Sequence, residues 1–180
     1  ITNSSNSGAL TALTNRAVRL GGISGYMAAG NIYGCKNSGE ITVSGAQTCV
    51  GGIIGFFGGT NLESSYNAAK VKATSIYSNA FLATYGAGGV VGVVNSGKSV
   101  KGCYFSATIR SDEDAESLTG KIIGKCNGLL SFDAAKMANN YFGGAAIDGD
   151  NNSNLTGKVL QFGTASWPKA DMNGWGTGRG

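Results

Sequence analysis

Apolar and glycine positions along this chain recur in blocks. Gly21-Gly22-Ile23-Ser24-Gly25-Tyr26 returns as Gly51-Gly52-Ile53-Ile54-Gly55-Phe56 and as Gly88-Gly89-Val90-Val91-Gly92-Val93. A weaker copy is Gly120-Lys121-Ile122-Ile123-Gly124-Lys125, so the intervals are 30, 37 and 32 residues. Self-similarity at that period marks stacked repeats, because so short a unit cannot bury its own apolar face. Each block predicts a short β-branched strand bracketed by glycines. An alternating segment follows, read from Asn31-Ile32-Tyr33-Gly34-Cys35-Lys36-Asn37, Asn61 to Asn67 and Ser99 to Phe105. Period-two alternation predicts a half-buried strand, with Ile32, Leu62 and Val100 in one inward column. A third strand is predicted over Glu40–Val43, Lys70–Ala73 and Ala107–Arg110, with Ile41, Val71 and Ile109 inward and Glu40, Lys70, Lys72 and Arg110 in water.

Three short strands per repeat joined by Gly, Asn and Ser turns describe one coil of a β-solenoid. The expected fold is therefore all-β, a right-handed parallel β-helix of four to five coils. The opening residues 1–11 align with 32–42 at an offset of 31, so the chain is expected to begin mid-repeat. Repeats are expected over 1–146. Residues 147–180 are expected to form a polar turn and a C-terminal cap, or the start of a following segment. The long second interval places an insertion around Thr74 to Tyr85, whose Tyr77, Phe81 and Tyr85 either cap a wall or project from the stack. Repeat-specific insertions lie on one face and are where repeat proteins often bind.

Composition narrows the chemistry. Of 180 residues 31 are Gly and one is Pro, 42% are hydrophobic and 13% charged, which excludes collagen and disorder. The net charge of +4 comes from basic residues scattered singly, so no nucleic-acid partner is expected. No apolar run is long enough for a membrane-spanning helix, and no signal-peptide pattern is present. With no histidine, Ser-His-Asp and Cys-His catalysis and imidazole metal ligation are excluded. The four cysteines fall in different positions of the repeat, apart from Cys35 and Cys103. Those two are separated by a coil holding Ser65, about 10 Å by strand spacing, too far for a disulfide. They read as small buried hydrophobes.

Asp148-Gly149-Asp150-Asn151-Asn152-Ser153-Asn154 is the candidate cation site. Asp148, Asp150, Asn152 and Asn154 place oxygens at alternate positions, as calcium requires. Ser153 stands where an EF-hand has Gly, and Val159 where it has its last ligand, so the run reads equally as an Asx-rich turn. No other cofactor is expected. The carboxylates in regular coils, Glu40 and Glu63, lie in different strands and do not make a glycosidase pair.

The Gly-Gly-(Ile/Val)-(Ile/Val)-Gly-aromatic blocks, with Cys35-Lys36-Asn37 and Ser65-Tyr66-Asn67, resemble the GLUG-motif repeats of bacterial surface proteins. The tail from Phe162 to Pro168, with Trp175-Gly176, is similar to segments that follow such repeats in proteins of gut Bacteroidetes. The fourth copy departs from the motif at Lys121, and the third at Val93. The resemblance implies an extracellular or outer-membrane location and an adhesin-like module or the accessory region of a large secreted peptidase. It carries no catalytic residues. The expected function is a non-catalytic module binding a glycan or host surface protein, through Tyr77, Phe81 and Tyr85. The alternatives are a polysaccharide lyase or glycoside hydrolase on a β-helix, or a spacer beside a catalytic domain.

Overall fold

The computed structural model of the chain describes residues 1–45, 47–74, 85–110, 119–127, 136 and 140–142. Strands, numbered in chain order, sort into five sheets. One holds β1 (Ser5–Asn6), β6 (Lys36–Asn37), β11 (Tyr66–Asn67), β16 (Tyr104–Phe105) and β20 (Tyr141–Phe142). A second holds β5 (Asn31–Tyr33), β10 (Asn61–Glu63) and β15 (Ser99–Lys101). A third holds β2 (Leu10–Leu13), β7 (Ile41–Ser44), β12 (Val71–Thr74) and β17 (Ile109–Arg110). The fourth comprises β3 (Ala17–Gly21), β8 (Gln47–Gly51), β13 (Gly86–Gly88) and β18 (Thr119–Gly120). The fifth comprises β4 (Ser24–Met27), β9 (Ile54–Phe57), β14 (Val91–Asn95) and β19 (Ile123–Asn127).

Every pairing is parallel, and each strand pairs with its counterpart one repeat on, as Leu10 does with Ile41 and Ser5 with Lys36. The chain is thus all-β with parallel sheets, a topology compatible with a β-helix. The offset of 31 between the first two repeats is the observed register. The inward columns are also as expected: Ile32, Leu62 and Val100 align, as do Ile41, Val71 and Ile109. Ile23, Ile53 and Val90 follow one another through backbone bonds from each N–H to the next carbonyl, 3.0 and 2.9 Å long. These aliphatics form one buried core with Phe57, Val94 and Phe105, against which the half-buried Ile23 packs.

The strand count differs from expectation. A full repeat carries five strands, not three, because the alternating segment is broken into two at a corner and the strand that ends on the first Gly of each block was not foreseen. The glycine block is a bend. Its first Gly ends β3, β8, β13 or β18, and the next strand starts only after the second Gly (Lys121 in the fourth block) and the aliphatic. The alternating segment is broken at Asn3, Gly34, Ser64 and Gly102, which occupy equivalent positions and have φ of 49°, 63°, 49° and 58°. A left-handed residue redirects the chain, and Gly adopts it without steric cost. The non-glycine members are held there by neighbours: Asn3 N–H donates to the Tyr33 carbonyl at 2.9 Å and Ser64 N–H to that of Lys101 at 3.0 Å.

An asparagine column runs inside this frame. Asn6 Nδ2 donates to Asn37 Oδ1 at 2.8 Å, and Asn37 Nδ2 to Asn67 Oδ1 at 2.9 Å. Asn67 Nδ2 ends the column on the Gly89 carbonyl at 2.7 Å. Each amide also bonds the backbone two residues ahead, which satisfies polar atoms that are fully buried at Asn37 and Asn67. Phe105 takes the same register position one repeat later.

Candidate functional site

In the first two blocks the three glycines have separate jobs, and together they place the aromatic that follows. A Cβ at Gly52 would overlap the Asn67 amide and the Gly89 carbonyl, and one at Gly89 would overlap the Phe105 ring. The second glycine is therefore the floor on which the interior Asn or Phe rests. The third glycine lies against the preceding strand. A Cβ at Gly55 would sit 2.6 Å from the Cys49 carbonyl oxygen and 2.7 Å from Leu20 N. This close approach of the fourth and fifth sheets sets Tyr26 beside Arg19.

Around that junction the side chains form a small surface apart from the main core. In the fifth sheet Tyr26, Phe56, Val93 and Lys125 are in register, and in the fourth Arg19, Cys49 and Gly86. Cys49, Phe56 and Val93 make a second buried cluster, against which Tyr85 packs. Tyr26 forms its open end, with 49% of its surface exposed. The Tyr26 and Phe56 ring centroids are 5.5 Å apart with the planes tilted by 39°. The Arg19 guanidinium carbon lies 4.6 Å from the Tyr26 centroid and 5.1 Å from that of Phe56. Two rings sharing one cation hold both the arginine and the exposed tyrosine in place. At the far end of the column, burial lowers the Lys125 pKa from its ordinary value.

A second aromatic column has another character. Tyr66 and Tyr104 stack with centroids 5.2 Å apart and planes 7° from parallel, and the Tyr66 hydroxyl bonds Ser106 Oγ at 2.9 Å. Their ring faces are spent on each other, so this column braces the wall and offers little flat surface to a ligand. Burial, and then the neighbouring Tyr66, push the Tyr104 hydroxyl pKa up.

Of the residues singled out from the sequence, Tyr85 is half-buried between the main core and the Cys49–Phe56–Val93 cluster. It packs against a wall and does not project. Tyr77 and Phe81 lie outside the described residues, as do Asp148, Asp150, Asn152 and Asn154. Sequence reasoning missed Arg19, Tyr26 and Phe56 as a group. The available signal was the equivalence of Tyr26 and Phe56 in successive blocks, with Arg19 seven residues before Tyr26.

Cys35, Cys49 and Cys103 are buried thiols outside any disulfide. Burial pushes the Cys103 thiol up to about 12, and does the same at Cys49 against the opposing pull of Arg19. Such thiols stay protonated and make poor nucleophiles. Cys103 Sγ faces the Lys101 carbonyl at 3.4 Å, and Cys103 N–H donates to Asn140 Oδ1 at 3.0 Å. Ser65, between the two cysteines of that column, accepts from Cys35 N–H at 3.2 Å and donates to the Glu63 carbonyl at 3.0 Å. Among the described residues no group of three or more Cys, Asp or Glu converges as metal ligands, and no helix is long and apolar enough to cross a membrane. The chain matches no family model, no curated protein and no solved structure in comparison searches.

Proposed function

We propose that this chain is a right-handed parallel β-helix of four to five coils acting as a non-catalytic, adhesin-like module. In this reading it belongs to a secreted or outer-membrane-surface protein and binds a glycan at the face formed by Arg19, Tyr26 and Tyr85. The hand follows from the general rule that parallel crossovers are right-handed. The resemblance of the glycine blocks to GLUG repeats supports the surface role.

The observation that carries the reading is the Tyr26 ring. It is half open to solvent, yet fixed by Arg19 and Phe56 on strands that pair along their length. A pre-set aromatic face costs little ordering entropy when a sugar ring stacks on it. Glycan-array retention of the whole chain tests this. Tyr26→Ala is expected to lose retention while the circular dichroism spectrum stays unchanged. Retention equal to that of the parent chain would refute the proposal.

A further inference from the structure

Among the described residues, no carboxylate stands on the strands that carry the proposed site's arginine. Arg19 is exposed, and its guanidinium carbon lies over two rings, 4.6 Å from the Tyr26 centroid and 5.1 Å from that of Phe56. Among the described residues the acids are Glu40 and Glu63, against eleven lysines and arginines. Glu40 pairs with Lys70 at 3.7 Å beside the third sheet, and Glu63 lies in β10 of the second. Neither carboxylate belongs to the two sheets that build the site.

Stacking uses the face of a guanidinium and leaves its rim of N–H donors available in the plane. An arginine so held is a pre-oriented fork for a carboxylate, and a planar anion can engage it through two parallel bonds. Beside that fork is the open Tyr26 ring, sized for the apolar face of a pyranose. Lys125 at the other end of the same column adds a second cation.

We infer that the ligand of this face is an acidic polysaccharide of the uronate class: the carboxylate pairs with Arg19 while the sugar ring lies on Tyr26. This rests on the glycan-binding reading above and names its substrate class. The test is affinity electrophoresis and calorimetry of the whole chain with polygalacturonate, with its fully methyl-esterified form and with polyaspartate. Parent protein, Arg19→Ala, Arg19→Lys and Tyr26→Ala are compared at low and high salt.

The expected result is binding to polygalacturonate that weakens about tenfold or more in Arg19→Ala and equally on esterification, the scale of a lost charge-assisted pair. Arg19→Lys keeps the charge but loses the fork, and is expected to fall between. Because Arg19 also holds the Tyr26 ring, binding of the methyl ester to Arg19→Ala is the control: a loss confined to the acid reports the carboxylate contact, and an equal loss for acid and ester overturns the inference. Equal binding of the acid and its ester overturns the inference, as does undiminished binding by Arg19→Ala. Polyaspartate bound as tightly as polygalacturonate overturns it too, since a peptide anion would then serve. Retention of neutral glycans alone, dependent on Tyr26 but not on Arg19, overturns the acidic assignment and leaves the adhesive reading standing. Retention of no glycan of either kind overturns both.

Discussion

Replacing Asn37 by Ala probes the interior asparagine column directly. The Asn37 amide donates to the Gly39 carbonyl and to Asn67 Oδ1, each at 2.9 Å. It accepts from Asn6 Nδ2 at 2.8 Å and from Gly39 N–H at 3.3 Å. All four bonds disappear in Asn37→Ala, and the backbone groups of Gly39 are left in a site that excludes solvent. At about 1 kcal/mol net per bond the loss is ~4 kcal/mol, a large share of the stability of a typical domain. The surface pair Asn31 and Asn61 is the internal control. Asn31 Oδ1 accepts from Asn61 N–H at 3.1 Å and from Asn61 Nδ2 at 3.2 Å, both exposed to water. Water replaces those bonds, so Asn31→Ala is expected to cost below about 1 kcal/mol. Asn37→Asp adds a stricter check, because an anionic oxygen in place of Nδ2 faces two acceptors and must also be desolvated. It is expected to cost at least as much as Asn37→Ala at neutral pH. Guanidinium unfolding followed by circular dichroism, with the slope compared between variants, measures all three. An Asn37→Ala cost no greater than that of Asn31→Ala would refute the claim that the column carries stability.

Two further outcomes follow from the described packing. Gly55→Ala puts a methyl within 2.7 Å of backbone atoms of three strands, at Cys49, Gly25 and Leu20. It is expected to cost about 3 kcal/mol or more by chemical unfolding. Gly97→Ala, at φ 74° with nothing within 4 Å of the new atom, is expected to cost only ~1 kcal/mol; equal costs would sink the argument from close approach. The third concerns alkaline pH. The native Cys103 thiol keeps its proton up to about 12, while the unfolded chain releases it near 9.0. The native state therefore binds more protons in that window, and stability present in full below the lower value declines as pH rises through it. Up to ~4 kcal/mol is at stake over three pH units. Cys103→Ala is expected to show a shallower alkaline decline in thermal midpoint than the parent, and parallel curves would contradict it.

How far the fold could be read in advance depended on which residues repeat. Ile32, Leu62 and Val100 announce their column because aliphatic side chains return at one spacing, and that spacing is the pairing register itself. The corners were harder to see. Gly34 and Ser64 do the same job, and nothing in a serine signals a left-handed backbone until the Lys101 carbonyl is found waiting for its N–H. Strands of two residues, such as β6, are too short for alternation to register. Asn37 and Asn67 look like turn formers in isolation, and only a neighbouring repeat turns each into an interior partner of the other. The site was partly legible through Tyr85. Tyr26 and Phe56 share a motif position and differ in environment: one is open and the other covered, which depends on what lies over each and not on side-chain type. Arg19 was one of many scattered cations until the third glycine brought its strand against the next.

The one-repeat offset of every pairing has a bearing on how such a chain can change length. Removing or duplicating a whole unit would leave every remaining residue opposite an equivalent partner, much as a brick course can be added to a wall. Loss of a single residue inside a strand would turn each following side chain to the opposite face. Extra residues are accommodated where the chain passes from β12 to β13, in the longest interval between blocks. Growth by entire units and variation in the passages between strands are thus the two kinds of edit this architecture tolerates.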